Sequence, residues 1–515
     1  MDTKALRQKV LDLAIRGKLV PQDPNDEPAS VLLARIRQQK QQMVKEGKLK
    51  AKDIKNDTII FVGEDNLHYE KFADGSVKCI EDEVPFGLPD GWAWVRLGNL
   101  SAAIQYGLSN SAEPQGTHRL LRITDIQDGK VDWNAVPFTT VNDPEAYLLK
   151  TGDIVFARTG ATVGKSFLIT ETPYPSVYAS YLIRIRLLGS LSPEYIYQFF
   201  DSACYWSQIT DKSVGVGQPN CNGTSLKELF IPLPPISEQL RIVPTAQALL
   251  AYVAKIDAEK KSLLSIIMAT KSKILDLAIR GQLIPQDPND EPASVLLERI
   301  RAEKEELIKQ GKIKRDKKES VIFRGEDNSY YEKIGDKVEN ISDEIPFELP
   351  DGWFFVRLKE LWELISGRDL SPSEYNADGV GIPYITGASN FVDGKVELAR
   401  WTTSPQVITE AGDLLLTCKG TIGGMAFNDF GNAHIARQIM AIRNTFALNS
   451  EYLALCMRFY INAIKDAAKG LIPGISREDI LNLILPVPSP NYQAKIVERV
   501  AEVTNILSAI EKSLS

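Results

Sequence analysis

Apolar residues recur at alternating spacings of three and four through the middle of the chain. One register holds Ala246, Val253, Lys260, Ile267 and Ile274, and the other holds Leu249, Ile256, Leu263, Thr270 and Leu277. This a/d pattern is typical of a coiled-coil helix. It predicts a helix from about Thr245 to Gly281, roughly 55 Å long at about 1.5 Å per residue. The alternative interpretation is a helix that serves only as core.

Both ends of the chain have the same spacing. The C-terminal segment contributes Val500, Val503, Leu507, Ile510 and Leu514, and the N-terminal segment contributes Leu6, Val10 and Leu13. We therefore predict two antiparallel helices packed together, one continuous and one interrupted at the chain termini. Gly17 and Gly281 stand where a helix usually ends, with Pro21 and Pro285 beyond them.

Thirteen residues occur twice without a change. The stretch PQDPNDEPASVLL spans Pro21–Leu33 and Pro285–Leu297. Looser similarity continues, for example between GEDNLHYEK (63–71) and GEDNSYYEK (325–333), and between FIPLPPISEQLRIV (230–243) and ILPVPSPNYQAKIV (484–497). The first pair of segments is 264 positions apart (Pro21 and Pro285), and the last pair is 254 positions apart (Phe230 and Ile484). With these two alignments, the C-terminal segment followed by the N-terminal segment matches the central segment. The sequence therefore predicts a circular repeat with pseudo-two-fold symmetry and neighbouring termini.

Two dissimilar stretches separate the repeated segments. Each contains strand-like runs, such as DIVFART and DLLLTCK, and a helical pattern near its end, so an α+β module is predicted. The predicted organisation has an N-terminal helical region, a first module, a central region with the long helix, a second module and a C-terminal helix. Their boundaries are 1–91, 92–235, 236–352, 353–490 and 491–515.

Composition narrows the class of protein. Hydrophobic residues make up 44% and charged residues 25%, as in ordinary globular proteins. No apolar run approaches the roughly 20 residues of a membrane span, the N-terminus lacks an apolar signal core, and the five cysteines are scattered. We expect a cytoplasmic protein with reduced thiols. The net charge of −7 is a mild argument against nucleic acid binding.

The stretch GATVGKS, Gly160–Ser166, resembles a phosphate-binding loop without matching it. A P-loop needs four residues between its glycines, and this stretch has three. A tight turn after a strand is the preferred interpretation, with room for close approach to a phosphate backbone. His68, His118 and His434 lack metal-ligand spacing, and we found no motif of a hydrolase or an amino-methyltransferase. The sequence thus shows no catalytic constellation and no metal or cofactor site.

The duplicated PQDPNDEP stretch is turn chemistry before a helix. Asp23, Asp26 and Glu27 could be considered a metal cluster, but the run lacks the spacing and the glycine of a calcium loop. A capped turn is preferred.

The repeated motifs together resemble one family. LDLAIRGKLVPQDPNDEPASVLL, LPDGWAWVRL, the turn after GDIVFART, and IPLPPISEQLRIV are similar to the specificity (S) subunits of type I restriction–modification systems. The resemblance implies that each module is a target recognition domain for one half of a bipartite, asymmetric double-stranded DNA site. It also implies that the helical regions separate these domains and dock two modification (M) subunits.

The same resemblance implies that the S chain is not catalytic and has no cofactor of its own, and it assigns the chemistry to partner chains. S-adenosylmethionine would belong to the M subunits, and ATP and Mg²⁺ to the restriction (R) subunits, which complete the nuclease. Because the S chain is acidic overall, we expect it to bind DNA poorly until M subunits complete a clamp. The rival interpretations are a protein–protein scaffold with two binding modules and an enzyme, either an NTPase or a nuclease.

Candidate site residues follow from residue type and position. Arg and Lys suit guanine and phosphate, and Asn and Gln suit adenine. The DNA-contact candidates are Arg119, Arg122, Arg158, Thr159, Lys165, Gln218 and Asn220 in the first module, and Arg368, Lys395, Lys419, Arg437 and Lys469 in the second. The candidates for M-subunit docking are Pro21, Asp23, Asn25, Asp26, Pro285, Asp287, Asn289 and Asp290.

Overall fold

The computed structural model describes residues 2–127, 129–212, 220–313, 315, 319–392, 394–467 and 474–514. The chain divides into two compact units, unit 1 (residues 1–261) and unit 2 (residues 262–515). Both units combine helices with small, mostly antiparallel sheets, so the predicted α+β class with two modules is confirmed.

Unit 1 has short helices around several sheets. Its helices are α1 (Thr3–Ile15), α2 (Ala29–Lys45), α3 (Ala51–Ile54), α4 (Leu97–Leu100), α5 (Pro193–Phe200), α6 (Ala203–Lys212) and α7 (Gly223–Lys227). Its strands are β1 (Ile59–Val62), β2 (His68–Lys71), β3 (Val77–Cys79), β4 (Ala93–Arg96), β5 (Ser101–Tyr106), β6 (His118–Leu121), β7 (Ile126–Gln127), β8 (Lys130–Val131), β9 (Phe138–Thr139), β10 (Ile154–Ala157), β11 (Ser166–Leu168), β12 (Ser176–Tyr178), β13 (Leu182–Leu187) and β14 (Phe230–Leu233).

The central sheet of unit 1 has the strand order β11-β10-β13-β5, and all its pairs are antiparallel. On β10, Ile154 and Phe156 join one hydrophobic core, whereas Val155 and Ala157 join a second core on the opposite face. Because both faces of β10 are covered, all four residues of this strand are apolar. A second sheet, β12-β6-β9, and the meander β1-β2-β3 complete the unit's larger sheets.

The long helix α8 (Ile236–Ile279) begins in unit 1 and ends in unit 2, and its 44 residues span about 66 Å. The helix thus starts earlier than the predicted Thr245. Pro244 lies inside it, and a proline in a helical pattern normally marks a boundary. The helix continues because Ile242 and Ala246 are buried on either side of the proline. The Thr245 hydroxyl also donates to the Arg241 carbonyl (2.9 Å) beside the break in the ladder.

Unit 2 repeats the plan of unit 1. Its helices after α8 are α9 (Ala293–Lys309), α10 (Ser450–Ala467), α11 (Arg477–Leu481) and α12 (Pro490–Leu514). Its strands are β15 (Ser320–Arg324), β16 (Tyr330–Ile334), β17 (Lys337–Asn340), β18 (Phe354–Arg357), β19 (Glu363–Ser366), β20 (Ile382–Ile385), β21 (Phe391–Val392), β22 (Lys395–Val396), β23 (Trp401–Thr402), β24 (Ile408–Thr409), β25 (Leu414–Thr417), β26 (Met425–Phe427), β27 (Ala433–Ile435), β28 (Ile439–Arg443) and β29 (Ile484–Val487).

Internal contacts recur between equivalent residues of the two units, although most of the sequence differs. In each unit an arginine pairs with a buried glutamate, an arginine pairs with a buried aspartate, and a buried tyrosine donates to a proline carbonyl. The pairs are Arg96–Glu70 and Arg357–Glu332, Arg186–Asp153 and Arg443–Asp413, and Tyr195–Pro232 and Tyr452–Pro486. The central sheet β19-β28-β25-β26 likewise has the strand order of its counterpart. The sequence repeat therefore corresponds to a structural repeat: unit 1 and unit 2 each contain one copy of these contacts and of this strand order.

The two apolar registers of α8 differ in how deeply their side chains are buried. Ala246, Val253 and Ile267 of the first register are buried, whereas Leu249 and Leu263 of the second are exposed. The first register behaves as the pattern predicts. The second is incompletely covered, so the intramolecular packing does not use both registers along the whole helix.

A shorter helix lies along α8 inside each unit. In unit 1, the Thr3 hydroxyl on α1 donates to Asp257 on α8 (2.7 Å). In unit 2, Lys271 on α8 pairs with Glu511 on α12 (2.7 Å). Within the described part of the chain, no helix is long and apolar enough to cross a membrane.

Candidate DNA-recognition surfaces

A tight turn joins β10 to β11 in unit 1. Gly164 has a positive φ of 90°, and a Cβ atom at this position would lie 2.5 Å from the Trp206 ring on α6. The Tyr205 hydroxyl donates to the Gly164 carbonyl and holds the turn against the same helix. The turn therefore presents its preceding residues at the end of the sheet, as the tight-turn interpretation predicts.

Arg158 and Thr159 stand directly before this turn. The Arg158 guanidinium carbon lies 4.8 Å from the centroid of the Tyr106 ring, a cation–π contact. Two backbone interactions bring the segment at residue 220 beside it: Cys221 donates to the Arg158 carbonyl (3.0 Å), and Thr159 forms a β-bridge with Asn220. Three of the predicted DNA contacts thus lie together.

Lys165 belongs to the same cluster. Its carbonyl accepts from the Ala157 amide (2.8 Å), so it lies across the hairpin from the end of β10, and its side chain is exposed. Gln218, the remaining candidate in this part of the sequence, lies outside the described residues. We define the first recognition surface as Arg158, Thr159, Lys165, Asn220 and Tyr106.

Arg119 and Arg122 have partners within their own part of the unit. The Arg119 guanidinium lies 3.9 Å from the Phe138 ring centroid and donates to the Val136 carbonyl. Arg122 forms two hydrogen bonds with Asp125, and this carboxylate raises the pKa of Arg122. The charge of Arg122 is therefore less available to a ligand than that of Arg158, while Arg119 is held in place by its ring and carbonyl contacts.

The equivalent end of the central sheet in unit 2 brings together Arg368, Lys419 and Arg437. Arg437 pairs with Asp369, the neighbour of Arg368 (2.7 Å). Cys418, which precedes Lys419, donates to the carbonyl of Gln438, which follows Arg437 (2.8 Å). We define the second recognition surface as Arg368, Lys419 and Arg437.

Two further candidates of unit 2 lie elsewhere. Lys395 is exposed on the separate hairpin β21–β22, and Lys469 lies outside the described residues. The ring of His434 is buried and contacts the backbone of the second surface: its Nε2 lies 2.8 Å from the Arg368 carbonyl oxygen.

The two surfaces share a backbone scaffold and differ in side chains. The residue after the buried strand is Arg158 in unit 1 and Cys418 in unit 2, and in each case its carbonyl accepts from a later segment, at Cys221 or Ile475. The following residue is Thr159 in one unit and Lys419 in the other. A constant scaffold with different exposed side chains suits two surfaces that recognise different sequences.

Sequence reasoning missed the aromatic residues of these surfaces. Tyr106 lies under Arg158, and Tyr181, which is 64% exposed, accepts from the Arg158 amide through its carbonyl. In unit 2, Arg400 lies 4.8 Å from the Tyr375 ring centroid. Tyr106 ends β5 and Tyr181 directly precedes β13, but the sequence does not show which arginine each tyrosine contacts, because the partners are far apart in the chain.

The duplicated turn is anchored inside each unit. In unit 1, Asp23 accepts from the backbone and side chain of Asn25, which lowers the pKa of Asp23, and Asp26 pairs with Arg241 on α8 (2.5 Å). Pro21 and Asn25 are exposed. The carboxylates therefore shape the turn and attach it to the long helix.

The copy in unit 2 is anchored in the same way. Asp287 accepts from Asn289 (3.0 Å), Asp290 lies 3.6 Å from Lys495 on α12, and Pro285 is exposed. Docking of a partner at these turns stays a prediction. Among the residues that the structure describes, no group of three His, Cys, Asp or Glu side chains could hold a metal ion.

Two modules on one scaffold, each with a cationic surface beside aromatic rings, define a protein with two recognition modules. Comparison with known proteins identifies the family: the profile of the type I restriction modification DNA specificity domain matches residues 89–266 and 350–515. The chain belongs to this family.

Curated relatives agree with this assignment. The EcoEI specificity subunit of a type I restriction enzyme from Escherichia coli is 26% identical, covering 99% of this chain and 90% of that protein. The EcoAI specificity subunit, also from Escherichia coli, is 26% identical over 97% of this chain and 88% of its own length. The expectation of a non-catalytic specificity subunit is confirmed by this family membership.

A solved structure has the same fold. It concerns complex assembly and conformational transition of the type I restriction–modification system, and it matches with a TM-score of 0.54 at 21% identity. The match covers 84% of this chain and 94% of the other.

Proposed function

We propose that each recognition surface reads one half of a bipartite DNA site. The observation that supports this most directly is the shared scaffold with different side chains, Arg158–Thr159 in unit 1 and Cys418–Lys419 in unit 2. Arginine and lysine donate to guanine and to phosphate, and Asn220 can pair with adenine. Two dissimilar surfaces on one chain would give an asymmetric, two-part target.

The distribution of charge in the chain supports the proposal that partner subunits are needed for tight DNA binding. Arg158, Lys165, Lys395 and Lys419 form no ion pair with any residue that the structure describes, so their charges are available. The chain as a whole has a net charge of −7, which opposes long-range attraction to DNA. We infer that the isolated chain binds DNA weakly and that two modification subunits complete a clamp around it.

We propose that α8 is the spacer between the two modules, in an antiparallel coiled coil with pseudo-two-fold symmetry. The Thr3–Asp257 and Lys271–Glu511 contacts support this arrangement, since each links α8 to a terminal helix. A helix of about 66 Å is long enough to span one turn of DNA, roughly 34–36 Å. Its length would then set the spacing between the half-sites.

Exposed apolar side chains on the helices support docking of modification subunits. Tyr252, Ile266 and Met268 on α8 and Ile506 on α12 are each more than half exposed. Such residues along a helix indicate a surface that a partner covers. The modification subunits would bring S-adenosylmethionine, and restriction subunits would bring ATP and Mg²⁺. The proposal includes a cytoplasmic location, where DNA is accessible.

The test is binding of DNA by the chain co-expressed with its modification subunit. We expect a sequence-specific, salt-dependent shift of duplex DNA, and adenine methylation at a bipartite motif in the host genome. A scaffold for other proteins would give neither result. Tight specific binding by the isolated chain at physiological salt would contradict the clamp, and turnover of nucleotide or DNA by the purified chain would contradict a non-catalytic role.

A further inference from the structure

The meander β1-β2-β3 of unit 1 has one face toward solvent. The register aligns Ile59 with Lys71 and Val77 in one row, and Phe61 with Tyr69 and Cys79 in the next. The Phe61 and Tyr69 rings stack with centroids 5.9 Å apart, and Phe61 is 41% exposed. The opposite face packs on the protein through Ile60 and the buried Glu70. We call these six residues the outward face of unit 1.

Unit 2 presents the same face. Its rows are Val321 with Lys333 and Val338, and Phe323 with Tyr331 and Asn340. The Phe323 and Tyr331 rings stack with centroids 5.8 Å apart, and Phe323 is 40% exposed. Val77 and Val338 are each 52% exposed. These six residues form the outward face of unit 2.

Solvent-facing positions are free to diverge unless something contacts them. On the meander strands some other exposed positions differ, with Val62 against Arg324 and Lys78 against Glu339, whereas the GEDN turn between the first two strands is identical in both units. Five of the six outward positions nevertheless keep the same type of side chain. The Tyr69 and Tyr331 hydroxyls donate to the aspartate of the turn in their own unit, which accounts for the two tyrosines. Core packing does not account for the other four pairs, because their side chains point away from the core.

The outward faces also share a cation. Lys71 and Lys333 occupy the same place between two exposed aliphatic residues, and neither forms an ion pair with any residue that the structure describes. A partner that covers an apolar face around an unpaired ammonium binds more tightly if it supplies a carboxylate at that point. The face thus fits a protein surface of apolar side chains with one acidic residue.

The surroundings disfavour nucleic acid as the occupant. In unit 1, residues 59–83 contain Lys71 and Lys78 against a larger set of acids, which are Glu64, Asp65, Glu70, Asp74, Glu81, Asp82 and Glu83. Residues 320–344 of unit 2 are acidic in the same way. This local excess of negative charge repels phosphate.

We propose that each outward face is a docking surface for one copy of the same partner protein, so that the chain binds two identical copies. This inference rests on the proposed function, in which the partner present twice is the modification subunit. Both meanders lie outside the residues 89–266 and 350–515 that match the DNA specificity profile. They therefore add a protein contact to the recognition modules and act independently of base reading.

The experiment measures binding of the modification subunit to the full chain and to Phe61→Ser, Phe323→Ser and the double variant. Native mass spectrometry gives the number of bound copies, and titration gives the dissociation constants. Lys71→Glu and Lys333→Glu test the acidic contact with little risk to folding, because both side chains are exposed. Val62→Ser is the matched control, an exposed apolar residue of the same strand outside the outward face.

Each single phenylalanine variant should weaken one of the two binding events at least about tenfold, and the double variant should weaken both. The lysine variants should weaken binding several-fold, and Val62→Ser should leave it unchanged. The methylated DNA motif should stay the same in every complex that forms. Melting temperatures of the variants separate loss of binding from loss of folding.

Unchanged affinities in the folded double phenylalanine and lysine variants would overturn the docking surface while leaving the proposed function intact. Loss of self-association instead of partner binding would show that a second copy of this chain is the occupant, and would also overturn it. If the unaltered chain does not bind the modification subunit at all, the proposed function fails and this inference fails with it.

Discussion

The guanidinium carbon of Arg158 lies 4.8 Å from the ring centroid of Tyr106, and its Nε is buried without a hydrogen-bond partner among the described residues. The ring holds the arginine at the end of the central sheet without neutralising its charge. An arginine that is positioned and still charged is suited to contact a base or a phosphate.

Replacing Arg158 with alanine should weaken DNA binding in the co-expressed complex by about 1–3 kcal/mol. A contact to a base would relax the methylated motif at one position of one half-site and leave the other half unchanged. A contact to phosphate would weaken binding to all sequences equally. Arg35→Ala is the control, because Arg35 lies on α2 and pairs with Glu27. Unchanged affinity and motif would exclude Arg158 from the surface.

Replacing Gly164 with alanine should destabilise the recognition turn. The new Cβ would lie 2.5 Å from the Trp206 ring, and φ is 90°, so strain and overlap together should cost about 2–4 kcal/mol. Gly160→Ala is the matched control: its φ is 74° and no atom lies within 4 Å, so only strain of about 1 kcal/mol is expected. Thermal unfolding measures both. Equal effects would mean that Trp206 can move aside.

Stability should fall in acid because of two buried glutamates. Burial by itself would raise the pKa of Glu70, but hydrogen bonds from Arg96 and Thr58 outweigh it and lower that pKa. The pKa of Glu332 is lowered in the same way, by Arg357 against the effect of burial. A lowered folded-state pKa contributes stability above the unfolded value, about 4.3 for glutamate, and this contribution is lost as the pH falls through the folded-state pKa.

The melting temperature should therefore decline from about pH 5 downward. The double variant Glu70→Gln, Glu332→Gln should have a lower melting temperature than the unaltered chain at neutral pH. Its melting temperature should also fall less steeply as the pH is lowered. An unchanged acid slope in this variant would assign the decline to other carboxylates.

Changing Asp287 and Asn289 to alanine should weaken binding of one modification subunit while both half-sites are still read. The turn is exposed and attached to α12 through Asp290, so its shape depends on the Asp287–Asn289 hydrogen bonds. Native mass spectrometry of the co-expressed complex counts the bound copies. The same changes at Asp23 and Asn25 provide the matched experiment in the other copy. Normal binding of both subunits would exclude the turns as docking elements.

Much of the fold was predictable from local pattern. The a/d spacing predicted the long helix, and the apolar runs before Arg158 and Cys418 predicted strands. Both signals are properties of neighbouring residues, because side-chain direction repeats with a fixed period along a helix or strand. Segments that recur in the sequence also recur in the structure, as in the pairs Arg96–Glu70 and Arg357–Glu332.

The site was only partly predictable. Arg158, Thr159, Lys165 and Asn220 were each predicted from residue type, but their position side by side was not; Arg119 and Arg122 contact Phe138 and Asp125. Residue type indicates what a side chain can bind, but not whether another residue of the chain already occupies it.

The sequence by itself determined the helix, the buried strands and the duplication, since each depends on spacing along the chain. Only the tertiary structure decided that α8 continues through Pro244, that Leu249 and Leu263 stay exposed, and that Tyr106 lies under Arg158. These features depend on contacts between residues that are distant in sequence. Burial and charge pairing are set by those contacts, and no local period encodes them.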